Sequence, residues 1–92
     1  MLPANIKIGG LTIAVKQVCH LASDRDRYGE YSPMKQVISI DESLPKDKKM
    51  ETLMHEILES VDGYLSLGLE HDKLTALSFV LHQVLKDNRL EL

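Results

Sequence analysis

The spacing of hydrophobic positions changes halfway along the chain. From Leu11 to Val18 they alternate, with Leu11, Ile13 and Val15 on one face and Thr12, Ala14 and Lys16 on the other. A period of two is the pattern of a half-buried strand. Asn5-Ile6-Lys7-Ile8 precedes this segment, and Gly9-Gly10 separates the two. Paired glycines supply the positive φ that a tight hairpin turn needs, so the two segments read as a hairpin. His20 to Arg27 is polar and charged and reads as a loop. Tyr28-Gly29-Glu30-Tyr31 follows, then Ser32-Pro33-Met34-Lys35, a turn with Pro at its second position. Gln36-Val37-Ile38-Ser39-Ile40 is the return strand.

Beyond Ser43 the period lengthens. Ser43-Leu44-Pro45 opens a helix, with Pro placed where its missing N–H costs nothing. Leu53, Met54, Ile57, Leu58, Val61 and Leu65 recur at helical spacing. Gly63 weakens the last turns, and Gly68 is expected to end the helix. A second helix starts near Glu70 or His71 and runs to about Asp87. Its stripe of Leu74, Leu77, Val80, Leu81, Val84 and Leu85 is expected to be core, part of it available as the face of a homodimer. The short connection makes the two helices neighbours. The expected fold class is therefore α+β. A three- or four-stranded antiparallel sheet, built by the N-terminal half, packs against two C-terminal helices.

Length and composition limit what this domain can do. The 92 residues suit a single domain spanning 1–92, with 43% hydrophobic residues and few aromatics. The core is expected to be modest and to rest on Leu, Ile, Val and Met. Cys19 is the one cysteine, which excludes an internal disulfide and a four-cysteine zinc site. It is expected to be a small buried hydrophobe. Any metal must then be held by His and carboxylates. The first residues lack a basic region followed by an apolar one, and no apolar run approaches the ~18–20 residues that span a bilayer. A cytoplasmic protein with no membrane role is expected. The net charge of −3 argues against a nucleic-acid partner, because phosphate neutralisation requires a basic face. Lys46, Lys48 and Lys49 read as a solvated first helical turn.

The chemistry concentrates in Thr52-Leu53-Met54-His55-Glu56-Ile57-Leu58-Glu59. His55 and Glu59 are one helical turn apart, so both side chains reach the same side. Two ligands on one helix need that spacing to meet a single zinc ion. In the His-Glu-x-x-His arrangement the Glu after the first ligand is the general base, the place Glu56 takes here. Glu59 stands where that arrangement has its second His. Zinc accepts a carboxylate oxygen, and His55 with Glu59 needs one more His to complete a two-His, one-Glu set. His71, at the start of the next helix, is the best placed. His82 is the alternative. Eleven residues of helix separate these two by about 16 Å, so both cannot bind one ion. His20 is a weaker choice. The plain alternatives are a surface ion pair for His55 and Glu59, an ordinary exposed helical residue for Glu56, and a first-turn residue for His71.

These residues carry a resemblance. The segment Leu11 to Leu92 resembles small phage- and prophage-encoded proteins related to minimal zincin-like metallopeptidases, distantly similar to the ImmA/IrrE-type domain. Ile38-Ser39-Ile40-Asp41, the helix from Thr52 to Val61, Leu69-Glu70-His71 and Val84-Leu85-Lys86-Asp87-Asn88 carry it. The resemblance implies a sheet packed on an active-site helix, with His55 as ligand, Glu56 as general base and a peptide or protein as substrate or partner. A non-catalytic interaction module on the same scaffold is the other function expected. The chain departs from the peptidase pattern at Glu59.

Overall fold

The Gly9-Gly10 pair does what its composition requires. The structure, a computed structural model, describes residues 2–19, 21 and 27–90. β1 (Asn5–Ile8) and β2 (Leu11–Val18) are antiparallel, with Ile8 opposite Leu11. Both glycines between them have positive φ, at 56° and 89°. β3 (Gly29–Ser32) and β4 (Val37–Asp41) form a second antiparallel pair around the turn that begins at Pro33. His20 and most of the loop expected at 20–27 lie outside the described residues.

The strands join in the order β1-β2-β4-β3, and the sheet is mixed rather than antiparallel. β4 runs parallel to β2, from Ala14 opposite Val37 to Val18 opposite Asp41. The chain leaving β2 passes to the far edge to form β3, and the turn brings β4 back into the middle with the direction of β2. Periodicity reports which side chains share a face but not which strand lies alongside. Ile38 and Ile40, both fully buried, suit the central place, while the short β3 suits an edge. With Ile13 and Leu53 they form the core, and Val15, Ile6 and Ile57 pack around it.

α1 (Lys46–Leu65) lies across β3 and β4. Its entry is shaped by buried Asp41, whose Oδ1 accepts the Ser43 backbone N–H at 2.8 Å and the Ser43 hydroxyl at 2.5 Å. The basic residues at its start are partly engaged: Lys48 pairs with Glu51 at 3.0 Å, and Lys49 reaches Gln17 at 2.7 Å. The helix ends before Gly68. Ser66 takes the left-handed conformation, and its N–H and that of Leu67 bond to the Asp62 carbonyl. The Asp62 carboxylate also accepts the Leu69 N–H at 2.9 Å. Asp62 thus organises the reversal with side chain and backbone together, which made a glycine at the helix end unnecessary.

α2 (His71–Asp87) runs back along α1. Lys86 pairs with Asp47 at 2.9 Å at one end, and His71 faces Glu59 at 3.7 Å at the other. α2 packs on α1 and not comparably on the sheet. Its stripe is accordingly not all core. Leu74 and Ser78 are buried and Leu85 is half-buried, while Leu77, Val80, Leu81 and Val84 are exposed. A helix touching one neighbour buries a narrow strip, whatever the width of its apolar face. Cys19 is likewise exposed at the end of β2 rather than buried.

One close approach fixes how α1 sits on the sheet. A Cβ at Gly29 would lie 2.6 Å from Thr52 Cγ2 and 3.2 Å from Glu56 Cγ. Thr52 and Glu56 are both buried, so one of them or the strand must shift to admit that atom. Gly29→Ala is expected to destabilise the fold by about 1–3 kcal/mol through overpacking. Urea unfolding measures this, and an unchanged midpoint would show that β3 shifts freely.

Candidate metal centre

The site forms where one face of α1 meets the first turns of α2 above the end of β3. His55 and Glu59 project from α1 one turn apart, with His55 Nε2 3.1 Å from Glu59 Oε1. The antiparallel packing carries His71 to the same place, its Nδ1 3.7 Å from the same carboxylate oxygen. The rings of His55 and His71 meet edge to face at 5.1 Å between centroids. One ligand atom from each of the three residues lies within 4.8 Å of the other two. Donors around a tetrahedral zinc at about 2.0–2.1 Å sit about 3.3 Å apart, close to the two shorter separations. The donor types suit a divalent metal, and the two separations to Glu59 are near that spacing.

A further contact orients the ring. Ser78 Oγ lies 3.5 Å from His55 Nδ1 and donates its hydrogen to the Thr75 carbonyl at 2.9 Å. Without a metal, His55 Nε2–H can donate to Glu59 Oε1 at 3.1 Å, a shorter contact than the one to Ser78. A bound metal would take the Nε2 lone pair instead, leaving the proton on Nδ1 facing the Ser78 hydroxyl. Ligating histidines are oriented in this way, by a partner on the nitrogen that does not bind.

Glu56 is not an ordinary exposed helical residue. It is buried beside Thr52 and the backbone of Gly29, and its Oε1 has no hydrogen-bond partner among the described residues. Burial is the main cause that pushes its carboxyl up to about 8, reinforced by the charge of neighbouring Glu59 and a hydrogen bond with it. Arg27 pulls weakly the other way. The cleft holding these groups is open to solvent, with Tyr28 and Tyr31 on the strand side and Lys48 and Thr75 on the helices. Lys48 lies 5.1 Å from the centre of the Tyr28 ring.

His55, Glu56, Glu59 and His71 thus come together. His82 does not join them; it is half-buried in a separate groove with Met50, Met54 and Leu85. His20 is outside the described residues. Sequence reasoning missed Ser78 and Gly29. The signal for Ser78 was present: His71, Thr75 and Ser78 form a polar line at helical spacing within the apolar pattern of α2. Gly29 gave no comparable signal, since its role depends on how close α1 comes to the strand. No family model, curated protein or solved structure matches the chain. No helix among the described residues is long and apolar enough to cross a membrane.

Proposed function

We propose that this is a cytoplasmic, phage-related zincin-like protein that binds zinc through His55, Glu59 and His71 and hydrolyses peptide bonds. The single observation that carries the proposal is that one carboxylate and two imidazoles each bring a ligand atom within 4.8 Å of the other two. When bound, zinc would supply a Lewis acid for the scissile carbonyl and the attacking water. Each residue of the site has a distinct task. Ser78 would hold the Nδ1 side of His55 when Nε2 ligates, and His55 and Glu59 would hold one side of the site. His71 closes it from the start of α2. Glu56, turned toward the strand and hydrogen-bonded to Glu59, is the candidate general base: with its raised carboxyl brought to the ionised form by a bound cation, it would take the proton of the attacking water and return it to the leaving amine.

The edge position of β3 supports an extended peptide as substrate. Among the described residues β3 pairs on one side only, with β4. An added strand can take its hydrogen bonds from the free side, and Tyr28 and Tyr31 border the same cleft. The other function consistent with the site is a non-catalytic interaction module that keeps the metal for structure. The exposed apolar residues of α2 favour it, because a surface of that kind marks contact with another protein.

Metal content tests the proposal. Protein purified without chelator and dialysed against metal-free buffer is expected to retain close to one equivalent of zinc by inductively coupled plasma mass spectrometry. Stripped protein is expected to take the same amount back in a calorimetric titration. Failure to bind zinc at micromolar concentrations would sink the metal site and the hydrolase with it.

A further inference from the structure

We infer that the outer face of α2 is a two-fold interface between two copies of this chain, the helices meeting antiparallel and centred on Val80. Leu77, Val80 and Val84 are 45%, 54% and 37% exposed, with Leu81 beside them at 39%. Lys73, Leu77, Val80, Val84 and Asp87 follow one another at spacings of four and three, so they form a single seam. The seam is apolar in the middle and oppositely charged at its ends. Neither Lys73 nor Asp87 has an ion-pair partner among the described residues, and the Asp87 carboxylate accepts one hydrogen bond, from the Gln83 amide at 2.9 Å, which leaves its other oxygen for a cation.

This charge pattern selects the occupant. Val80 lies seven residues from Lys73 and seven from Asp87. In an antiparallel pair centred there, Lys73 of each copy meets Asp87 of the other, and Leu77 packs near Val84. A parallel pair would set Lys73 against Lys73 and Asp87 against Asp87, which is repulsive at both ends. The surface is therefore complementary to itself under a two-fold axis, as an isologous interface must be. The seam lies on the flank of α2 away from Leu74 and Ser78, which pack toward α1, so association leaves the metal-site cleft open.

Sedimentation equilibrium from micromolar to near-millimolar protein tests this, with cysteine cross-linking in a Cys19→Ser background. The wild type is expected to dimerise and Val80→Glu to remain monomeric with an unchanged circular dichroism spectrum. Lys73→Glu and Asp87→Lys are each expected to weaken the dimer by about three- to tenfold, and the two together to restore it. Val80→Cys is expected to form a disulfide with its own copy. Lys73→Cys is not, since the two Lys73 positions would be about 21 Å apart along the helices. A wild type that stays monomeric throughout would overturn the proposal, and the face would then belong to a different protein. Association untouched by Val80→Glu, or equal cross-linking at positions 73 and 80, would overturn it as well.

Discussion

His55→Ala is expected to lower zinc affinity by more than about 100-fold, beyond the 10–100-fold that loss of an outer partner costs. His55 is the best prepared of the three donors. Its side chain is only 17% exposed, and the Ser78 hydroxyl lies 3.5 Å from its Nδ1, the nitrogen that would not ligate. Little ordering remains to be done when a metal arrives. His71 has a side chain 76% exposed, and the order it lacks must be imposed on binding. His71→Ala is therefore expected to cost less than His55→Ala. Ser78→Ala is expected to cost about 10–100-fold, although Ser78 touches no metal. Calorimetric titration of zinc into the three stripped variants yields this order. If His55 and Glu59 were only an exposed i,i+4 pair, worth about 0.2–0.5 kcal/mol, none of the three would alter zinc binding. The Ser78 variant is the sharpest discriminator, because a surface ion pair gives it no role.

The candidate site was legible in part, and the limit has a physical cause. His55 and Glu59 share a helix, so their spacing alone brings them together. His71 is sixteen residues from His55, and its arrival depended on the reversal after Leu65. The sequence showed that a reversal was short, not which face of α2 it would present. Asp62 and Ser66 decide that, and the glycine expected to end the helix does not. The same division runs through the fold. Alternation in β2 marked its buried face through Ile13 and Val15, but no periodicity could reveal that β4 would lie beside it in parallel. On α2 an apolar stripe was read as core throughout. Core requires a neighbour as well as an apolar side chain, and α1 covers only one flank of that helix. The burial of Glu56 was hidden for a related reason, since it follows from the missing side chain at Gly29 across the interface.

Glu56→Gln is expected to leave zinc binding within about threefold of wild type and to lower peptide hydrolysis by about 10²–10⁴-fold, the usual contribution of a positioned acid–base group. Gln has nearly the volume of Glu, so the contact with Gly29 and Thr52 survives. It cannot accept a proton at ordinary pH. Glu56 is not among the three residues whose donor atoms converge, so the metal set stays intact. Zinc content and cleavage of a mixed library of extended peptides are to be read on the same preparations. Three outcomes separate the functions. Zinc retained with cleavage lost assigns the proton transfer to Glu56. Zinc retained with full cleavage would place the base elsewhere in the cleft. A wild type that holds zinc and cleaves nothing would leave the two imidazoles and Glu59 as a structural metal site, and the scaffold as an interaction module.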